Sequence, residues 1–190
     1  MITGPSGVGK GTLISRLRDE VPGLDLSVSA TTRPPRQGER PGVHYHFMDP
    51  AEFDRHVAAG DFLEHADYAS HRYGTLRTEL ERRPEAGAPV VLEIAVQGAR
   101  QIRDTMPEAV RIFVAPPTEE ALRNRLVGRG TDDPDQVEAR LRTAGEELAA
   151  QGEFPHVVIN DRLDDAVEAL EEVVRTSLGS VGRIPRKDVP

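Results

Sequence analysis

Cysteine and tryptophan are absent from the 190 residues, and aromatic residues make up only 4%. Without cysteine there are no disulfides, no thiolate metal ligands and no cysteine nucleophile. Scarce aromatics leave little surface on which the bases of a single strand could stack. Positive charge is in deficit too, with 24 Lys and Arg against 32 Asp and Glu and a net charge of -8. A nucleic-acid binder needs a basic footprint, so that class is disfavoured. A small polyanion is not, because a few arginines focused in a cleft can outweigh a dispersed acidic surface. No apolar run approaches the ~20 residues of a membrane-crossing helix. Met1 is followed by glycines and a lysine in place of an apolar leader, so a cytoplasmic location is expected. No internal repeat or low-complexity tract is evident.

What is present is an ordinary globular composition, 37% hydrophobic and 29% charged, at a length suited to one core. The spacing of Leu13, Ile14, Leu17 and Val21 predicts a helix over Gly9 to Glu20. Short apolar runs at Leu26–Val28, Val90–Ile94, Val110–Val114 and His156–Ile159 suit strands covered on both faces. Helices are predicted after Thr118 (Leu122 and Leu126 inward) and from Asp133-Pro134 (Val137, Leu141 and Leu148). A last helix, capped by Asp164 or Asp165, turns Val167, Leu170 and Val174 inward. Strands alternating with helices imply an α/β fold with a mainly parallel sheet. The stretch 30–86 breaks the alternation. It is rich in Pro, Gly, His and Tyr, with one short helix after Asp49-Pro50, and reads as a functional insertion. The segment after Leu178 has no apolar period and is expected to be loose.

The strongest local signal is Gly4-Pro5-Ser6-Gly7-Val8-Gly9-Lys10-Gly11-Thr12. Four glycines let backbone N–H groups converge on phosphate oxygens at the positive end of the following helix. Lys10 adds a point charge for the β- and γ-phosphates. A plain glycine-rich turn is the alternative, but a lysine opening an amphipathic helix favours the phosphate loop. Gly11 stands where such loops usually carry Ser or Thr, so Thr12 is the hydroxyl on offer and direct metal coordination is left open. Only Met1-Ile2-Thr3 precede the loop, which calls for a very short first strand or a different chain start.

A second phosphate-binding signal lies in Ser27 to Arg36, followed by Gly38-Glu39 and Tyr45-His46-Phe47. Prolines stiffen this backbone, and Arg33 with Arg36 has the composition of a bidentate phosphate clamp. From this segment alone, a solvated basic loop is an equal alternative. His44, His46, His65 and His71 show no metal-site spacing and read as surface or hydrogen-bonded groups, so no metal ligands are assigned. The charged runs Glu79–Arg83 and Asp161–Asp165 read as solvated helix ends.

In order along the chain, several segments resemble the motifs of the guanylate kinase family of P-loop nucleoside monophosphate kinases. They are the phosphate loop, Ser29-Ala30-Thr31-Thr32-Arg33-Pro34-Pro35-Arg36, Tyr45-His46-Phe47, Gly60-Asp61-Phe62-Leu63-Glu64 and Tyr73-Gly74-Thr75. Glu93 to Ala99, Gly128-Arg129-Gly130-Thr131, Arg140-Leu141 and Val158-Ile159-Asn160-Asp161 continue the series. The resemblance covers residues 1 to 178. It implies a single kinase domain with core segments 1–29, 87–126 and 151–178, a GMP-binding insertion at 30–86, a lid at 127–150 and a tail at 179–190. It further implies in-line phosphoryl transfer from ATP, with Mg²⁺, to GMP or dGMP. Gly4 to Thr12 and Asn160 match the ATP-binding positions. Arg33, Arg36, Tyr45 and Tyr73 match those that hold the acceptor phosphate. Ser29, Glu64 and Thr75 match the guanine readers, and Arg129 and Arg140 the lid arginines. Lys10 and the four arginines are the implied catalytic groups.

One departure stands out: the family usually carries a second carboxylate after Glu93-Ile94, and this chain has Ala95. Losing a charged partner for the guanine 2-amino group costs about 1.5–3 kcal/mol, so a weaker preference for GMP over IMP is expected. Glu93 is left to orient metal-bound water or to make a structural hydrogen bond. A non-catalytic, protein-binding relative of the family is the competing function class, disfavoured by the intact Gly9-Lys10 and by Arg129 with Arg140.

Overall fold

A computed structural model describes residues 1–68, 70–81, 89–127 and 134–179, without the side chains of 134–140. In chain order the elements are β1 (Ile2–Thr3), α1 (Lys10–Glu20), β2 (Asp25–Leu26), β3 (Ala30–Thr31) and β4 (His46–Phe47). Next come α2 (Pro50–Ala59), β5 (Phe62–Tyr68), β6 (His71–Leu76), the single turn α3 (Thr78–Glu81), β7 (Val90–Val91) and α4 (Val96–Thr105). β8 (Ile112–Ala115), α5 (Glu119–Val127), α6 (Pro134–Ala149), β9 (His156–Ile159) and α7 (Leu163–Gly179) complete the chain. They group into two compact units, one of residues 2–24 with those from 110 on, the other of residues 25–109 with Met1.

In the first unit a parallel sheet runs in the order β1-β8-β9, with Ile2 opposite Ile112 and Phe113 opposite Val157. β8 is buried along its whole length, as expected for a central parallel strand carrying helices on its faces. Leu13, Ile14, Leu17 and Val21 are fully buried, so the predicted stripe of α1 faces the core, and α1 packs beside α7. Leu122 and Leu126 of α5 and Val167, Leu170 and Val174 of α7 are buried as expected. The hydroxyl of Thr118 accepts the Ala121 N–H at 3.0 Å and caps α5. α7 starts earlier than predicted, at Leu163. Asp164 and Asp165 therefore lie inside its first turn, where the helix dipole still favours their charge. α6 opens at Pro134 as predicted; Asp133 and the side chain of Val137 lie outside the described residues, and Leu141 and Leu148 are half-buried.

The second unit holds a parallel pair, β2 with β7, and a mixed sheet in the order β4-β3-β6-β5. The strands expected at Leu26–Val28 and Val90–Ile94 shrink to Asp25–Leu26 and Val90–Val91, where the two pair. α2 begins as predicted: Asp49 accepts the Glu52 N–H at 2.7 Å and Pro50 takes the first helical position. Its Phe53 stacks on Phe62 of β5 at 4.5 Å, and with Ala30 these form a small core. Among the described residues, four strands therefore lie within the stretch read from sequence as an insertion with a single helix. The run Glu79–Arg83 needs correcting as well. Glu79 is not solvated: its side chain is 10% exposed and accepts the Val28 N–H at 2.8 Å, while bonding His46 Nε2 at 2.9 Å. Arg82 and Arg83 lie outside the described residues.

Candidate active site

The glycine-rich loop joins β1 to α1 in the first unit. Gly4 passes so close to β8 that a Cβ there would meet the Val114 carbonyl oxygen at 2.2 Å, at a φ of +150° that other residues rarely adopt. Only glycine fits. Lys10 folds back over the loop, its ammonium donating to the carbonyls of Gly4 at 2.6 Å and Pro5 at 3.2 Å. The Ser6 N–H donates to a carboxylate of α6, Glu147, at 3.3 Å. Glu147 is 5% exposed. Burial pushes its carboxyl up, against the opposing pull of the Lys10 charge and the Ser6 N–H.

The far side of the loop is latched by its Val8 carbonyl. That oxygen accepts from the Asn160 side-chain amide at 2.7 Å and from Arg125 at 3.3 Å, and Arg125 also donates to the Asn160 carbonyl at 2.9 Å. A recess of about 250 Å³ is lined by Gly7, Gly9, Thr12, Arg125, Asn160 and Asp161 among others. Asn160, matched from sequence to an ATP-binding position, lies beside the loop with its side-chain amide on the Val8 carbonyl. Arg125 was missed: nothing in its surroundings on α5 distinguishes it from other helical arginines until the loop is in place. Gly11 lies within the first turn of α1 with open space around it.

In the second unit Arg33, expected from sequence to clamp the acceptor phosphate with Arg36, makes an internal ion pair. Arg33 Nη2 meets Glu39 Oε1 at 2.8 Å, and its guanidinium lies over the rings of Tyr45 at 5.3 Å and Phe47 at 6.0 Å. The Glu39 hydrogen bond raises the pKa of Arg33, with Tyr73 adding to it, and Arg33 lowers that of Glu39 in return. Tyr45 and Tyr73 meet edge to face at 6.2 Å. Burial raises the Tyr45 pKa, assisted by the charge of Glu93. Arg36 donates its backbone N–H to Glu39 at 2.7 Å and is otherwise exposed. Glu39 is therefore the residue that organises both arginines, a role the Gly38-Glu39 motif alone did not reveal.

On the same mixed sheet, Glu64 of β5 faces Thr75 of β6 and accepts its hydroxyl at 2.7 Å. Glu64 is 4% exposed. Desolvation pushes its carboxyl up to about 7, with the Thr75 hydrogen bonds opposing the shift. Ser29, half-buried, precedes β3, and its backbone carbonyl accepts the His46 N–H at 2.9 Å. Ala95 occupies the N-cap of α4 and has no side chain with which to satisfy the helix's free N–H groups.

Ser29, Arg33, Arg36, Tyr45, Glu64, Tyr73 and Thr75 thus belong to one unit, and Gly4 to Thr12 with Asn160 to the other. Arg129 and the side chain of Arg140 lie outside the described residues, as does the tail from 180 on. Among the described residues there is no group of three or more His, Asp or Glu placed to hold a metal ion, and no helix long and apolar enough to cross a membrane.

A family model described as guanylate kinase matches residues 1–177. The chain is 54% identical over 171 residues to a guanylate kinase of Synechococcus sp. (strain CC9902), covering 90% of this chain and 91% of that one. It is 51% identical over 170 residues to a guanylate kinase of Streptomyces coelicolor, covering 90% and 86% respectively. Among solved structures, a crystal structure of guanylate kinase from Anaplasma phagocytophilum superposes with a TM-score of 0.74 at 31% identity, covering 92% of this chain and 82% of that one.

Proposed function

Because the chain belongs to the guanylate kinase family, we infer that its two units divide the work of an ATP:GMP phosphotransferase, one holding the donor and the other the acceptor. The reaction converts ATP and GMP to ADP and GDP. Residues 4–12 form the donor loop, with Lys10 facing the β- and γ-phosphates once it leaves its carbonyl partners. Asn160 and Arg125 border the recess suited to the adenosine end of ATP. Residues 30–86 carry acceptor binding and 127–150 the lid, with Arg129 and Arg140 closing over the phosphates.

Mg²⁺ would be held as part of the nucleotide complex and would supply neutralisation of the phosphate charge. The donor set fits such a shared ion better than a protein cage: Gly11 has no side-chain ligand, and Thr12, which lines the recess, would offer the hydroxyl. Arg33, Arg36, Tyr45 and Tyr73 hold the GMP phosphate. One of its oxygens attacks the γ-phosphorus in line, and the bond to the bridging oxygen of ADP breaks. That phosphate is already an adequate nucleophile, so no general base is called for. Both substrates are soluble nucleotides of the cytoplasm, which is where we place the enzyme.

The observation that carries the acceptor assignment is Glu64, a buried carboxylate in the same unit as a two-arginine, two-tyrosine cluster. When ionised it accepts from both N1–H and the 2-amino group of guanine; adenine has no such donor pair and would leave it buried and unpaired. Ser29 and Thr75 complete the reader. ADP formation with MgATP and GMP, dGMP, IMP or AMP, alongside a control without acceptor, tests the reading. Fast GMP turnover with little AMP activity is expected, and equal GMP and AMP rates overturn it. The bare N-cap at Ala95 favours one refinement, that IMP competes better than it does in relatives with a carboxylate there.

A further inference from the structure

Helix α4 does more than cover the mixed sheet. Its first turn and a half meets β5 at the two consecutive residues Glu64 and His65, through two side-chain choices that share a face of the helix at i and i+3. The first choice is the absence of a side chain. A Cβ built on Gly98 would stand 2.0 Å from Glu64 Oε2, 2.8 Å from its Cδ and 3.2 Å from its Cγ. The carboxylate therefore occupies the volume that any other residue at 98 would fill. The second choice is Gln101, whose amide spans the backbone of His65. Gln101 Oε1 accepts the His65 N–H at 3.1 Å, and its Nε2 donates to the His65 carbonyl at 2.7 Å.

A primary amide makes both bonds to one residue in only one register. A slip of β5 by one position would break both and turn Glu64 to the opposite face of its strand. Such pinning matters here because β5 is irregular next to Glu64, with a register shift against β6 between Phe62 and Glu64. On the other side, Thr75 holds Glu64 Oε1. The carboxylate is thus fixed from β6 by a donor, from α4 by space, and along the strand by the Gln101 clamp.

We propose that Gly98 and Gln101 are positioning residues for base recognition: they act through Glu64, setting where the buried carboxylate stands to meet the purine of the acceptor. The proposal rests on the assignment of Glu64 as guanine reader. An alanine at 98 must push Glu64 Oε2 from 2.0 Å out to the ~3.4 Å of ordinary contact, and misplacement by more than about 1 Å costs on the order of 10²-fold in efficiency. Loss of the Gln101 clamp allows the strand to shift without a direct clash, so its effect is smaller.

The test is steady-state kinetics on the full chain, with kcat/KM for GMP and IMP and KM for ATP, in Gly98→Ala, Gln101→Leu, Glu64→Gln and their double variants. Gly98→Ala is expected to lower kcat/KM for GMP by about 10- to 100-fold and Gln101→Leu by about 3- to 10-fold, with KM for ATP within about twofold. In the Glu64→Gln background both changes should have little further effect, because the group they position has already lost its charge. Pairing Gly98→Ala with Glu64→Asp, which retracts the carboxylate by one methylene, should recover part of the loss. Should Gly98→Ala not fold, Gln101→Leu carries the same test. Losses that fall equally on GMP and ATP, or that persist undiminished without the Glu64 charge, overturn the proposal in favour of general scaffolding. If Glu64→Gln itself leaves the kinetics toward GMP and IMP unchanged, the reader assignment fails and the proposal with it. A loss in Glu64→Gln beside unchanged position-98 and position-101 variants overturns this proposal alone.

Discussion

Among the described residues each unit buries one glutamate almost completely, Glu64 at 4% exposure and Glu147 at 5%, and in both desolvation is the main force raising the pKa. Their partners differ. Glu64 is met by the hydroxyl and backbone of Thr75, neutral donors, and its carboxyl rises to about 7. Glu147 takes a backbone N–H of the phosphate loop and feels the charge of Lys10, which opposes the rise. The first arrangement leaves acceptor capacity for a ligand that brings its own N–H groups. The second uses up a donor that a ligand phosphate would want. On the proposed function, a buried carboxylate is complementary to the incoming base in one unit, and competes with the incoming anion for a loop N–H in the other.

The contrast is broken most severely by removing the charge each ligand needs. Lys10→Ala should cut turnover by roughly 10³-fold or more while GMP affinity, measured by calorimetry, stays within about twofold. Glu64→Gln should do the reverse, lowering kcat/KM for GMP by about 10²-fold with ATP affinity kept, since two hydrogen bonds to a charged acceptor are weakened. If either variant lost both ligands together, the division of labour between the units would be wrong.

Glu64 should also make stability and acceptor affinity respond to pH in opposite directions. Its folded pKa of about 7 lies above the ordinary 4.5. Between those values the folded state binds more protons than the unfolded one, so this contribution is fully present below 4.5 and is lost as pH rises through 7. The total is of order 3 kcal/mol. Glu64→Gln should therefore melt several degrees higher than the parent at pH 8, with the gap closing toward pH 5. GMP, which needs the ionised carboxylate, should bind more weakly as pH falls below 7, by up to about tenfold per unit beyond the loss that Glu64→Gln shows from titration of the nucleotide phosphate itself. A flat melting difference across this range would mean the carboxyl is not held neutral in the free protein.

Restoring a carboxylate at position 95 sharpens the same comparison more gently. Ala95 caps α4 without a side-chain acceptor, so Ala95→Asp should add about 1 kcal/mol of stability as a helix cap. It should also raise the GMP/IMP ratio of kcat/KM by about 10-fold, the lower end of what a charged partner for the 2-amino group is worth. Stability gained without selectivity would assign position 95 to helix capping alone.

The two units were not equally legible. In the first, the loop, α1, α5 and β9 followed from glycine spacing, a 3.6-residue apolar period and a β-branched run, signals that are local. In the second, Phe62, Glu64 and Ala66 of β5 are buried, but the register shift pairs Phe62 with Leu76 and Glu64 with Thr75, so the first two point to opposite faces. A charged residue at a buried position and an irregular alternation disguise the strand. β3 and β4 are two residues each and exist only through pairing with distant partners, which no window of sequence displays. The roles of Glu39, Arg125 and Glu147 were hidden for the same reason, since each is defined by a partner far along the chain or by a loop geometry that glycine spacing only outlines. Glu64 is singled out by one motif and Thr75 by another; that the two face each other across adjacent strands is a fact of topology.

The smallest expected effect bears on Glu147. If its carboxylate takes the Ser6 N–H that a phosphate would use, ATP must displace it, and part of the intrinsic binding energy is offset by that exchange. Glu147→Gln keeps the shape and a carbonyl acceptor for the Ser6 N–H, but turns a charge-assisted bond into a neutral one and removes the attraction to Lys10. The difference between the two kinds of hydrogen bond is about 1 kcal/mol, so ATP should bind about fivefold more tightly, with GMP affinity unchanged. The gain should be largest where the Glu147 carboxyl is fully ionised in the parent, and should shrink as acidification neutralises it. Titration calorimetry with ATP across a pH series reads both. Weaker ATP binding in the variant would carry the opposite lesson: the carboxylate then holds the loop in its binding shape, and both units would use a buried glutamate in the service of their ligands.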